Sequence, residues 1–163
     1  MVAATSAATV ISLFAVPPDA DEAFIAAWAP GSGTLHRALR SDADFRYVEV
    51  APADGESSRD TYAVAHEDGD PDGAGGVLVI DAFEVPPEAD EAFLAAWARS
   101  RAVLARHRGY LGSRLHRSAG PADFRFVAIA RWSSPLMFAR AVRDPEAVEV
   151  PFAAHRALYQ PVR

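Results

Sequence analysis

The sequence predicts an α+β fold: two ferredoxin-like units, the first truncated, pairing their antiparallel sheets as one α+β barrel. Three observations lead there. The stretch Val16-Pro-Pro-Asp-Ala-Asp-Glu-Ala-Phe-Ile-Ala-Ala-Trp-Ala29 returns as residues 85–98, and only Asp19/Glu88 and Ile25/Leu94 differ. A second echo follows each copy, Leu35-His36-Arg37 with Asp44-Phe45-Arg46-Tyr47-Val48 against Leu115-His116-Arg117 with Asp123-Phe124-Arg125-Phe126-Val127. The second copy reads in the order β-α-β-β-α-β, the ferredoxin-like succession. Such a sheet has helices on one face and a bare opposite face, so two units from one duplication can bury their bare faces together.

Each element has a local reason. Thr9 to Val16 and Val77 to Val85 are apolar and β-branched, and each ends at a Pro-Pro pair that cannot continue a ladder. The helix after each pair opens with carboxylates (Asp19, Asp21, Glu22; Glu88, Asp90, Glu91), where the helix dipole favours negative charge. Phe93, Ala96, Trp97, Ser100 and Leu104 share one helical face, and Gly109 ends the run. Tyr110 to Arg117 and Asp123 to Trp132 are expected strands around a Gly-Pro turn. Ser133-Ser134-Pro135 is a helix start, with a serine cap and proline in the first turn. Ala147 to Arg156 is expected to be helical, and Ala157 to Val162 a closing strand.

The first copy is abbreviated. Trp28 to Leu35 spans seven positions, against eighteen from Trp97 to Leu115. The difference removes about three helical turns. After Ala51 the chain runs into Pro52-Ala-Asp-Gly-Glu-Ser-Ser58, so a second helix there is short or lost, while Thr61 to His66 serves as a last strand. The expected division is a truncated unit over 1–66, a mobile, acidic, Gly-rich linker over 67–76, and a complete unit over 77–163.

Composition narrows the chemistry. The chain has no Cys, excluding disulfides and thiolate chemistry, and no Lys, excluding Schiff bases. Net charge is −6, split as −9 over residues 1–76 and +3 over 77–163. An acidic chain without an Arg run argues against a nucleic-acid partner. No apolar run is long enough to span a bilayer, and Met1 to Thr9 lacks the features of a signal peptide, so a cytoplasmic protein without a membrane partner is expected. The five histidines show no metal-ligand spacing, and no metal is expected.

The segments 79–97, 109–118 and 124–134, in that order and spacing, resemble the antibiotic biosynthesis monooxygenase family. The resemblance covers nearly all of residues 77–163 and, more weakly, 9–66. It implies a dimeric α+β barrel, here an intrachain pseudo-dimer with room for a further homodimer. It also implies oxidation of an anthrone-type aromatic polyketide with molecular oxygen as co-substrate and no cofactor. In that chemistry a deprotonated substrate passes an electron to oxygen inside a dry cavity. The family's oxygenases place an Asn and a Trp four residues apart on the third strand, some with a Tyr six residues later. Here those positions are Ala128, Trp132 and Phe138, and in the first copy Glu49 and Ala53 stand for the first two. The chain contains no Asn at all, so the fold follows more directly than the oxygenase activity.

Strand alternation puts Phe124, Phe126, Ala128, Ala130 and Trp132 on one face, an outline for a slot that takes a flat ring system or for ordinary core packing. His116, in phase with Tyr110, Gly112 and Arg114, is the preferred proton acceptor if it shares the cavity with Trp132; His36 is its counterpart. Expected substrate contacts are Phe126, Ala128, Phe138, Trp97, Arg114 and Tyr159, with Arg114 and Arg117 suited to a phenolate. Glu49, in phase with Phe45 and Tyr47, becomes a base only if its face is interior, and His155, Tyr159 and Tyr62 are candidates to close the cavity. Three functions fit: a cofactor-independent monooxygenase, a polyketide cyclase or aromatase on the same fold, and a non-catalytic binding barrel.

Overall fold

The computed structural model describes residues 8–28, 33–53 and 59–162. Its elements are β1 (Thr9–Phe14), α1 (Asp21–Ala27), β2 (Thr34–Ala38), β3 (Tyr47–Pro52), β4 (Thr61–Gly69), β5 (Val77–Phe83), α2 (Asp90–Leu104), β6 (Tyr110–Ser118), β7 (Phe126–Trp132), α3 (Pro135–Ala141) and β8 (Ala154–Pro161). The strands close into one barrel in the order β1-β3-β2-β8-β5-β7-β6-β4, every pair antiparallel. Two ferredoxin-like units thus share a single sheet. Among the described residues no helix is long and apolar enough to cross a membrane.

The sequence signals act where expected. Each Pro-Pro pair ends a strand and leads through a 3-10 turn into a helix with two carboxylates in its first turn. The Ser134 side chain caps α3 by accepting from the Met137 amide at 3.2 Å, with Pro135 as the first helical residue. The abbreviation of the first copy is visible as seven residues in α1 against fifteen in α2. The expected loss of a second helix over 52–58 and the expected absence of a leader over 1–9 fall mostly on residues 54–58 and 1–7, which lie outside the described residues.

Two expectations fail. Residues 147–153 are not helical, and β8 begins at Ala154. Pro151 supplies no amide hydrogen and turns Val150 away from helical angles. Val150 and Phe152 pack instead against the cluster around Phe93 and Phe126. The 67–76 segment is not a free tether either. Residues 67–69 belong to β4, and Arg131, only 8 % exposed, holds the loop that follows. Its guanidinium donates to the Asp70 carbonyl at 2.9 Å and the Ala74 carbonyl at 3.1 Å, while Arg114 grips Asp72.

The last strand of each copy joins the two units. β4 pairs along its length with β6 and at its start with β1, while β8 pairs with β5 and β2. A pseudo-twofold relation runs through the side chains. Tyr62 donates to the Phe124 carbonyl at 2.9 Å, and Tyr159 donates to the Phe45 carbonyl, the matching residue of the other copy, at 2.6 Å. These tyrosines join Ile11, Val48, Ile80 and Val127 in filling one half of the barrel. The opposite sheet faces pack under helices, through Phe93 stacked on Phe126 at 4.3 Å in the second copy and Phe24 stacked on Tyr47 at 4.4 Å in the first.

Because each tyrosine bonds a carbonyl of the other unit, Tyr62→Phe and Tyr159→Phe should each lower unfolding free energy by roughly 1–2 kcal/mol, through a buried carbonyl left without a donor. Urea denaturation measures this; a neutral effect of both changes would show that the cross-unit bonds contribute nothing net.

Candidate active site

Strand alternation gives the sheet two functional faces, and the sequence-predicted residues divide between them. Trp132, Ala128, Phe138 and Trp97 meet in a pocket of 50 Å³ between the second unit's sheet and its helices. Trp132 is 1 % exposed, with Phe138 and Tyr110 each at 5.4 Å between ring centres. Phe126 lies deeper on the same face, in the aromatic cluster with Phe83 and Phe93.

His116 and Arg114 are on the other face. They line a cavity of 720 Å³ at the open half of the barrel, together with His36. The sequence-derived phase fails because the β6–β7 register shifts between Tyr110 and Gly112, leaving Leu111 as an extra residue. Tyr110 therefore joins Ser113 on the helix-covered face, its phenol oxygen accepting from the Ser113 hydroxyl at 2.7 Å, and His116 turns into the barrel. The condition for His116 to act beside Trp132 is not met. Gly112 accommodates the shift; a Cβ there would stand 2.4 Å from the Asp70 amide nitrogen.

Tyr159 is at the filled end of the barrel with Phe124, and His155 sits there against Phe45 and Phe124, bonded to Asp44 at 2.7 Å. Tyr62 is part of the same packing. Arg117 is exposed. Glu49 lies under the first unit's helix and accepts a hydrogen bond from the Trp28 indole at 2.7 Å. Trp28 is the repeat counterpart of Trp97, so in the first copy this bond joins the side chains that correspond to a tryptophan and an alanine of the pocket.

The structure adds groups that sequence reasoning missed. Asp81 of β5 stands across the ladder from Ala128 on one side and Arg156 on the other. Arg156 donates to both carboxylate oxygens, at 2.7 and 3.3 Å, and its guanidinium lies 5.4 Å from the Phe138 ring centre. Burial pushes the Asp81 carboxyl above the ordinary carboxylate range, against the pull of Arg156. A lone Asp in the apolar run Val77-Leu-Val-Ile-Asp-Ala-Phe83 was the available signal. Asp68 arrives from β4, in the other copy. It accepts from the Tyr110 hydroxyl at 2.5 Å and Arg101 at 2.7 Å, and it lies 3.0 Å from His66, whose ring meets Trp97 at 5.3 Å. Burial raises the Asp68 carboxyl, yet Tyr110, His66 and Arg101 together hold it below its usual value. Burial first, and the bond to Asp68 second, push the Tyr110 phenol up to about 12. Among the described residues no group of three or more acidic, His or Cys side chains has the geometry of a metal site.

Comparison with known proteins agrees with this architecture. Residues 76–149 match the model of the antibiotic biosynthesis monooxygenase family. The chain belongs to that family. The matched segment includes Asp81, Ala128, Trp132 and Phe138, so the pocket between sheet and helices falls largely within it. A putative monooxygenase from Shewanella loihica is 30 % identical over 56 % of this chain and 99 % of its own, with a TM-score of 0.51. An anthrone oxidase-like protein covers 100 % of this chain and 94 % of its own at 17 % identity, with a TM-score of 0.68. A heme-degrading enzyme from Listeria monocytogenes covers 94 % and 98 % at 18 % identity, with a TM-score of 0.59. The last two likenesses concern the fold. No curated protein matches the chain.

Desolvation inside the barrel lowers the His116 imidazole to about 4. With its folded value depressed, His116 contributes stability that is fully present above the unfolded value near 6.5 and is lost as pH falls toward 4. The unfolded chain takes up a proton there that the folded chain refuses, at a cost of roughly 3 kcal/mol given about 1.36 kcal/mol per unit. Denaturation at pH 7 and pH 4 should show the wild type losing about that much more stability than His116→Gln; equal losses would place the imidazole in contact with water.

Proposed function

We propose that this family member oxidises a planar, acidic aromatic of the anthrone or phenolic polyketide type with molecular oxygen and without a bound cofactor, in the second unit's pocket. The observation that carries this reading is the placement of Asp81 directly across the ladder from Ala128. The polar group that the family's oxygenases carry at the Ala128 position is replaced here by a carboxyl on the neighbouring strand. Alanine leaves room beside it.

The roles follow from position. Trp132 and Phe138 offer faces for the ring system, and Trp97 borders it from α2. Asp81 receives the proton from the substrate, its carboxylate made a stronger base by burial. Arg156, bonded to Asp81, stands beside the developing oxyanion and stabilises it. The substrate anion passes one electron to oxygen, and the resulting radical and superoxide combine at the ring carbon. Protonation by Asp81 gives a hydroperoxide. Loss of the remaining ring hydrogen as a proton, with O–O cleavage, yields the quinone carbonyl and one water. One oxygen molecule is consumed for each anthrone, and no external reductant is needed.

A ring system enters only if the pocket opens, since 50 Å³ holds little more than a water molecule. Val150 lines it from the segment without regular structure between α3 and β8, and Phe138 lines it from the short α3. Displacing these two residues is the least disruptive route. No histidine borders the pocket among the described residues, so it lacks the usual proximal ligand of a heme iron.

With anthrone as substrate and no added flavin, heme or metal, the wild type should consume one oxygen per anthraquinone formed. Asp81→Asn should lower kcat by roughly a hundredfold or more, while Trp132→Leu should chiefly raise KM. An Asp81→Asn enzyme as fast as wild type would end the assignment of the base. Conversion of a poly-β-ketone without oxygen uptake would identify a cyclase instead.

A further inference from the structure

The open half of the barrel, 720 Å³ in volume, is separate from the pocket under the helices, because the sheet itself stands between them. Its size falls in the range of roughly 300–1,000 Å³ used for small-molecule sites. Its walls are apolar at Val50, Leu78 and Ile129 and polar at His36 and His116.

The two histidines are repeat counterparts. His36 is on β2 and His116 on β6, four places apart in a ring of eight strands, so they face each other across the barrel. Each ring places Nδ1 against the backbone carbonyl of its ladder partner, Val48 at 3.3 Å and Val127 at 3.2 Å. A carbonyl can only accept, so Nδ1 carries the hydrogen and Nε2 keeps a lone pair. No described residue donates to either Nε2, and neither atom is among the described side-chain polar atoms sealed from solvent without a partner; both rings line the cavity. Desolvation lowers the pKa of both rings, which keeps them neutral at physiological pH.

The mouth does not select for an anion. Arg114 is neutralised by Glu67 and Asp72, and Arg131 is taken up by Asp70 and the loop carbonyls. What the cavity offers a guest is an apolar middle and two opposed acceptors, each open to a donor.

We infer that the open half of the barrel is a second binding site, for a neutral, flat molecule with an apolar body and hydroxyl donors at opposite ends, held between Nε2 of His36 and Nε2 of His116. This site is independent of the oxidation chemistry assigned to the pocket under the helices.

Three probes of one shape test it on the full chain: 1,5-dihydroxynaphthalene, 1-naphthol and 1,5-dimethoxynaphthalene, titrated by fluorescence. The diol should bind tightest, with each lost donor weakening binding by roughly three- to tenfold. His36→Leu and His116→Leu should each reduce the preference for the diol over the dimethyl ether by a similar factor, with melting temperature and circular dichroism reporting the fold. The wild type supplies a readout that needs no variant: in a long-range ¹H–¹⁵N spectrum, the diol should shift the Nε2 resonances of both histidines, and the dimethyl ether should not. Equal binding of all three probes, no binding of any, or unmoved Nε2 resonances would overturn the proposal.

Discussion

The structure depends on a sheet with no free edge. A strand edge left open exposes a row of unpaired amides and carbonyls, and the two copies remove theirs by lending each other a last strand. β4 closes one seam by joining β1 to β6, and β8 closes the other by joining β2 to β5. The first copy's short α1 offers little surface for packing, yet its strands are held by ladder bonds to the complete copy. Duplication with truncation is tolerated because the sheet, rather than either helical layer, carries the connection.

The same closure brings side chains of the first copy against residues that line the second copy's pocket. Asp68 and His66 lie on β4, in the first copy, but they act beside Tyr110, Arg101 and Trp97 of the second. At the first unit's helix, Trp28 and Glu49 bond each other directly. The two helical layers have therefore diverged in kind. One encloses the buried Asp81 carboxyl facing aromatic rings, and the other joins its tryptophan to a glutamate.

Much of the pocket was legible in the sequence. Trp132 and Ala128 share a face by the period of two on β7, and Trp97 follows from the helical period, so their meeting was predictable. Asp81 was overlooked because an apolar strand reads as core, although a single acid within it is the mark of a buried functional group. The expected phase of His116 with Tyr110 fails because one extra residue at Leu111 inverts the phase of everything before it. A bulge leaves no signature beyond the nearby glycine. The expected helix over Ala147 to Arg156 failed for a legible reason, since Pro151 interrupts it.

By itself the sequence determined that the chain is a duplication, where its three helices begin, and which residues of β7 share a face. Those properties depend on neighbours a few positions apart, through dihedral preference, capping and alternation. Only the tertiary structure decided that the histidines face the barrel while Trp132 faces the helices, and that Asp68 crosses from one copy to the other. Those outcomes depend on the β6–β7 register, set by partners 9 to 22 positions apart, and on which edge finds which, set between β4 and β6 by partners more than forty positions apart.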